Sequence, residues 1–180
     1  MTDYALAVDL GGTKVEAALV DAAGSVLTGS RHRRPTGSSA TSEQLAAAVT
    51  DAVRDALAAL PAGATLRGAG IGSAGPIAGT TGDVSPLNLP AWRSYPLGGL
   101  VAETLTSAGL GGLTVTLRMD GICIALAEVW LGAAQGETNV MGMIVSTGVG
   151  GGLILGGRVV AGPTGNAGHI GHVAVAGHDD

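Results

Sequence analysis

Two glycine-rich segments, each set between apolar runs, limit what this chain can fold into. One is Asp9-Leu10-Gly11-Gly12-Thr13-Lys14, and the other is Ser146-Thr147-Gly148-Val149-Gly150-Gly151-Gly152. Both read as turns between strands. Such turns expose backbone N–H groups that can converge on an anion, and glycine lets a phosphate approach closely. A pair of them, with Asp9 at the first, suggests a clamp for the phosphates of a nucleotide.

Neither of the common nucleotide motifs is present. A dinucleotide-binding turn needs G-x-G-x-x-G opening a helix. Here Leu153 stands where the last glycine would be, and a strand-like run follows. A Walker A loop needs four residues between its first glycine and Gly-Lys, whereas Gly12-Thr13-Lys14 has none.

The 180 residues suffice for one domain or two small lobes. Apolar residues make up 46% and Phe is absent, so Ala, Val and Leu must fill the interior. Net charge is −5, divided as 8 Lys/Arg against 9 Asp/Glu in residues 1–118 and 1 against 5 in residues 119–180. Neither part is basic enough for nucleic acid. Arg31-His32-Arg33-Arg34 is the one basic cluster, and a solvated strand end is favoured over a binding patch. Cys123 is the single cysteine and reads as a small buried hydrophobe. The N-terminus lacks the basic region of a signal peptide. Residues 140–157 are uncharged, but 7 of these 18 are glycine. Each glycine costs a helix roughly 1 kcal/mol, so a strand-turn-strand is expected there, not a membrane span. A cytoplasmic protein with no membrane partner is the expectation.

Along the chain, residues 4–8, 15–20 and 25–31 read as an antiparallel meander. Thr41-Ser42-Glu43-Gln44 fits a capping box, and Leu45, Val49, Val53, Leu57 and Leu60 follow at helical spacing until Pro61. Residues 66–71 read as a buried strand. Residues 72–96 form a long loop, which Leu87, Leu89 and Trp92 suggest is packed. A short helix over 97–108 and a strand over 113–117 follow. Residues 121–134 are apolar nearly all round, which predicts a buried helix. Residues 141–145, 153–155 and 158–160 read as short strands. The whole is an α/β chain with a mixed sheet and flanking helices. An N-terminal lobe spans 1–118, and a second lobe starts at 119. The chain stops at His178-Asp179-Asp180 without a closing helix, so the second lobe reads as incomplete and the chain as truncated.

Several side chains carry candidate chemistry. Asp9 can orient water on a Mg²⁺ that bridges phosphates, or accept turn N–H bonds. Thr13 and Thr147 offer hydroxyls, and Lys14, the only lysine, offers charge or is a solvated hairpin residue. Asp120 precedes the apolar helix, where a carboxylate can take a hydroxyl proton in phosphoryl transfer or serve as the helix N-cap. His169 and His172, in Gly168-His169-Ile170-Gly171-His172, can ligate a metal or touch substrate.

Together these segments resemble the ROK family of repressors and sugar kinases, over essentially the whole chain. The family's kinases have an actin-like, ribonuclease-H-like ATPase fold of two lobes. Asp9-Leu10-Gly11-Gly12-Thr13-Lys14 looks like its first phosphate loop, and Ser146-Thr147-Gly148-Val149-Gly150-Gly151-Gly152 like its second. Gly72-Ser73-Ala74-Gly75-Pro76 and Asn88-Leu89-Pro90-Ala91-Trp92 look like its sugar-side loop. Asp120, ahead of Ala125-Leu126-Ala127-Glu128, falls where its catalytic Asp stands.

The resemblance implies ATP-dependent phosphorylation of a hexose or N-acetylhexosamine, a transferase of carbohydrate metabolism similar to glucokinase. Asp120 would be the base. Asp9, Gly11, Gly12, Thr13, Lys14, Thr147, Gly148, Gly150 and Gly151 would bind the phosphates of Mg·ATP. Gly75, Asn88, Asp120, His169 and His172 would line the sugar. His172 would also be the first ligand of a structural zinc whose remaining ligands lie beyond residue 180. Dimers are common in the family, which makes a homodimer the expected partner besides sugar and ATP.

Departures from the family pattern shape the expectation. Met119 stands where Asn is usual and cannot hydrogen-bond a sugar hydroxyl. His169 replaces the Glu of glucokinase-like members and is similar to some N-acetylmannosamine kinases, which favours amino sugars. A chain ending at residue 180 is expected to turn over slowly or not at all. The alternatives are a sugar-responsive regulator of the same family without its DNA-binding domain, or an inactive fragment. The regulators carry an N-terminal helix-turn-helix, for which a phosphate loop at residue 9 leaves no room.

Overall fold

The computed structural model describes residues 2–78, 82–145, 149–168 and 170–172, and for His172 the backbone alone. The chain divides into two compact units, Met1–Arg118 and Met119–Asp180.

The first unit is built on a five-stranded sheet of order β3-β2-β1-β4-β5. β1 (Asp3–Leu10) and β2 (Lys14–Asp21) pair antiparallel through the first glycine turn. β4 (Thr65–Ser73) lies parallel to β1 on its other side, so the sheet is mixed. Alternation along β1 turns Leu6, Val8 and Leu10 inward. They meet Val15, Ala17 and Leu19 of β2, Ile71 of β4, and the apolar stripe of α1 (Ser42–Ala58) in a core where Trp92 is the largest side chain.

The capping box forms: Thr41 Oγ1 accepts from the Gln44 N–H and the Gln44 side chain accepts from the Thr41 N–H. It orients α1 so that Leu45, Val49, Val53 and Leu57 face the sheet. The helix stops at Ala58, so Leu60 lies beyond it.

The third strand differs from expectation. Residue 26 makes one bridge to Val20, and the true strand, β3 (His32–Pro35), pairs with the start of β2. The intervening ladder positions are taken by a side chain. Ser30 Oγ accepts from the Leu19 N–H at 3.0 Å and donates to Leu27 O at 2.8 Å, next to Gly29 at φ 82°. The basic cluster is internally compensated: Arg31 and Arg33 donate to Glu16, and Arg34 donates to Asp55. Burial works to raise the Glu16 pKa, but these hydrogen bonds and charges hold it below the ordinary carboxylate value.

The long loop packs, as its apolar residues imply, though Leu87 is 63% exposed. Leu89 and Trp92 are buried, Trp92 stacks on Tyr95, and the Trp92 Nε1–H donates to Ser42 Oγ at the start of α1. α2 (Leu97–Ser107) ends at Gly109, which takes φ 78°. β5 (Val115–Met119) begins two residues later than its pattern indicates.

In the second unit, α3 (Asp120–Leu131) lies on a sheet of order β6-β7-β8, formed by β6 (Val140–Val145), β7 (Val149–Leu155) and β8 (Arg158–Val159). The expectation of a helix buried all round is corrected: Gly121, Ile122 and Ala125 are buried, while Leu126, Trp130 and Leu131 are exposed. A three-stranded sheet covers one side of a helix only. No helix among the described residues is long and apolar enough to cross a membrane.

Candidate functional site

In the first unit the sequence-selected residues gather at the carboxyl ends of β1 and β4. The parallel register sets Asp9 beside Gly72 and Leu10 beside Ser73, so the glycine turn after β1 and the loop after β4 leave the sheet at the same end. Ligands commonly bind outside the carboxyl ends of such parallel strands. The Ala74 N–H donates to Leu10 O and holds the two loops together, with Gly75 buried next to this tie.

The turn itself closes through the Gly11 N–H donating to Lys14 O at 2.9 Å. Gly12 has no room for a side chain. A Cβ there would stand 2.6 Å from Asn88 Cγ and closer still to its Nδ2. The exposed Asn88 amide therefore presses against the phosphate-type turn, which joins a sugar candidate to a phosphate candidate. Gly12→Ala is expected to push Asn88 aside and leave stability nearly unchanged, within about 0.5 kcal/mol, because that amide is exposed. A thermal melt checks this. Lys14 Nζ reaches Glu16 Oε2 at 3.8 Å, with half its side chain in solvent.

In the second unit Asp120 is the first residue of α3. Met119, not Asp120, occupies the N-cap position, and it offers no side-chain cap. The N-cap reading of Asp120 is thereby corrected by one residue. Its carboxylate lies in the first turn, where the helix dipole favours negative charge, and Oδ1 accepts from the Gly121 N–H at 2.7 Å. Met119, in the place of the usual Asn, is buried.

The second glycine run is only partly a turn, since residues 149–152 belong to β7. Several of these glycines meet backbone. A Cβ on Gly121 would lie 2.6 Å from Gly151 N and C, and one on Gly152 would lie 2.6 Å from Ile122 Cα. One on Gly142 would lie 3.0 Å from Ala125 Cα. The helix thus rests on the sheet through bare backbone, and this sets Asp120 at the start of β7. A Cβ on Gly150 would be 3.9 Å from Asp120 Oδ1. This packing role of Gly121 and Gly142 was not evident from sequence. The signal was there in glycines inside an apolar helix and strand, which imply close backbone approach.

Thr147, Gly148 and His169 lie outside the described residues, as does the side chain of His172. The backbone of His172 ends a 3-10 turn, Ile170–His172. Among the described residues no three His, Cys, Asp or Glu side chains gather to hold a metal ion. The zinc expectation attached to His172 rests on a side chain outside the described residues.

Residues 5–180 match the family model described as ROK family. The chain belongs to the ROK family. It is 38% identical over 176 residues to an N-acetylmannosamine kinase of Shigella boydii serotype 18, a match covering 96% of this chain and 55% of the relative. Among solved structures, it is similar to a ROK family glucokinase from Streptomyces griseus in complex with glucose and AMPPNP. That match has a TM-score of 0.79 and 32% identity, covering 96% of this chain and 51% of the other. A ROK hexokinase from Thermus thermophilus matches with a TM-score of 0.77 and 35% identity, covering 96% and 53%. The chain spans about half the length of the relatives it matches. Its mixed sheet and flanking helices are the α/β architecture of the actin-like ATPase fold of these ROK kinases.

Proposed function

We propose that the protein carrying this chain is an ATP-dependent sugar kinase acting on an N-acetylhexosamine. The observation that carries the reading is Asp120, a carboxylate fixed at the start of α3 beside Gly150 of β7. In the mechanism, Asp120 accepts the proton of a sugar hydroxyl, usually the 6-hydroxyl in this family. The freed oxygen attacks the γ-phosphorus, the bond to the bridging oxygen breaks, and ADP leaves. The N–H groups of Gly12 and Thr13 lie in the turn that would face the phosphates, while that of Gly11 closes the turn on Lys14 O. Thr13, Lys14, Thr147, Gly148, Gly150 and Gly151 complete the phosphate set. Asp9 would help hold a magnesium ion, which would offset the charge of the phosphates. Gly75, Asn88, His169 and His172 line the sugar.

The choice of an N-acetylated sugar is supported by His169 and by the similarity to N-acetylmannosamine kinases. A cytoplasmic location and a homodimer accompany the proposal. The test is ADP release by the full-length protein with Mg·ATP and a panel of N-acetylmannosamine, N-acetylglucosamine, glucose and mannose. N-acetylmannosamine is expected to give the highest kcat/KM. Glucose as the best substrate would overturn the sugar assignment, and no sugar-dependent ADP release would overturn the kinase.

A further inference from the structure

Thr36, which follows β3, makes two hydrogen bonds to the first glycine turn. Its backbone N–H donates to Thr13 O at 2.9 Å, and its hydroxyl donates to Gly11 O at 2.9 Å. Pro35 pairs with Lys14 in the ladder and has no N–H to give, so the next residue supplies the donors that hold the turn. A trans peptide is planar, and its N–H points opposite to its C=O. Fixing the Gly11 carbonyl toward Thr36 therefore aims the Gly12 N–H away from β3. Among the described residues neither the Gly12 nor the Thr13 N–H has a hydrogen-bond partner. The Thr36 hydroxyl thus sets the direction of the Gly12 N–H, and an unpaired N–H aimed out of a glycine turn is what an anion site needs.

We infer that Thr36 is a positioning residue for the nucleotide phosphates, acting through the carbonyl of Gly11 without touching the ligand. The inference rests on the phosphate half of the proposed function. The Thr36 hydroxyl is half-buried and bonded to a carbonyl, so it is spent on the turn and not on substrate.

The test uses the full-length protein with Thr36→Val and Thr36→Ser. Thr36→Val is nearly isosteric and keeps the backbone donor while removing the hydroxyl. It is expected to raise the KM for ATP and the Kd of a non-hydrolysable Mg·ATP analogue about tenfold, the worth of one lost hydrogen bond, with the sugar KM unchanged. Thr36→Ser restores both values. Unchanged nucleotide affinity in Thr36→Val, an equal rise in both KM values, or no rescue by serine would overturn the inference. If the wild type releases no ADP with any sugar, the kinase reading fails, while the analogue's Kd still decides the role of Thr36. A wild type that binds no analogue overturns Thr36 as well.

Discussion

Asp120→Asn in the full-length protein is expected to lower kcat about 10³-fold, within the range general-base catalysis supplies, while the Kd for sugar stays within about twofold of wild type, since a neutral amide keeps the shape and a polar contact. The geometry makes this a clean substitution. Asp120 Oδ1 accepts the Gly121 N–H at 2.7 Å, and an asparagine oxygen can accept the same bond. The start of α3 then keeps its conformation, and only the proton acceptor is lost. Single-turnover ADP release measures the chemical step, and calorimetric titration of the sugar measures binding. Turnover at the wild-type rate would remove Asp120 as base and the mechanism with it. A parallel loss of sugar binding would show that the carboxylate works in the ground state.

Gly152→Ala is expected to destabilise the second unit by about 3 kcal/mol, the upper part of the usual overpacking range. The new methyl would stand 2.5 Å from Gly121 O and 2.6 Å from Ile122 Cα. Both are backbone atoms of α3, so no side chain can rotate away. Either the helix lifts from β7 or the strand bends. Lifting the helix also moves Asp120, and a displacement of about 1 Å at a reacting group can cost 10²-fold in rate. Gly70→Ala in β4 is the control, because a Cβ there meets nothing within 4 Å. Urea unfolding followed by hydrogen exchange across residues 119–155 separates the two variants. Equal stability of Gly152→Ala and Gly70→Ala would mean that α3 is not seated on these glycines.

Much of the fold was legible because local chemistry and packing agree in the first unit. β1 alternates from Leu6 to Leu10, the Thr41–Gln44 capping box marks the start of α1, and Gly109 ends α2 where a positive φ is needed. The readings that failed share one cause, the choice of partner. Residues 25–31 have the composition of a strand, yet Ser30 satisfies the edge of β2 with its hydroxyl, and β3 forms later. Leu87 looks like a core residue but sits on the solvent side of a loop anchored by Leu89 and Trp92. Apolar residues all around α3 predict burial on every side, and β6 and β7 supply one face.

The candidate site divides in the same way. Its residue types were readable from sequence: Asp9, the glycine turns, Asn88 and Asp120 announce themselves by chemistry and order. Their mutual placement was not. Nothing local indicates that Asn88 presses on Gly12, that Thr36 holds the turn from behind, or that glycines 121 and 152 let α3 meet β7 backbone to backbone. Periodicity, caps and turn chemistry act over a few residues, so the sequence by itself determined the elements and the chemical groups they carry. Which group faces which depends on contacts between residues far apart in the chain, where shape and the absence of a single Cβ decide, and these were settled only by the tertiary structure.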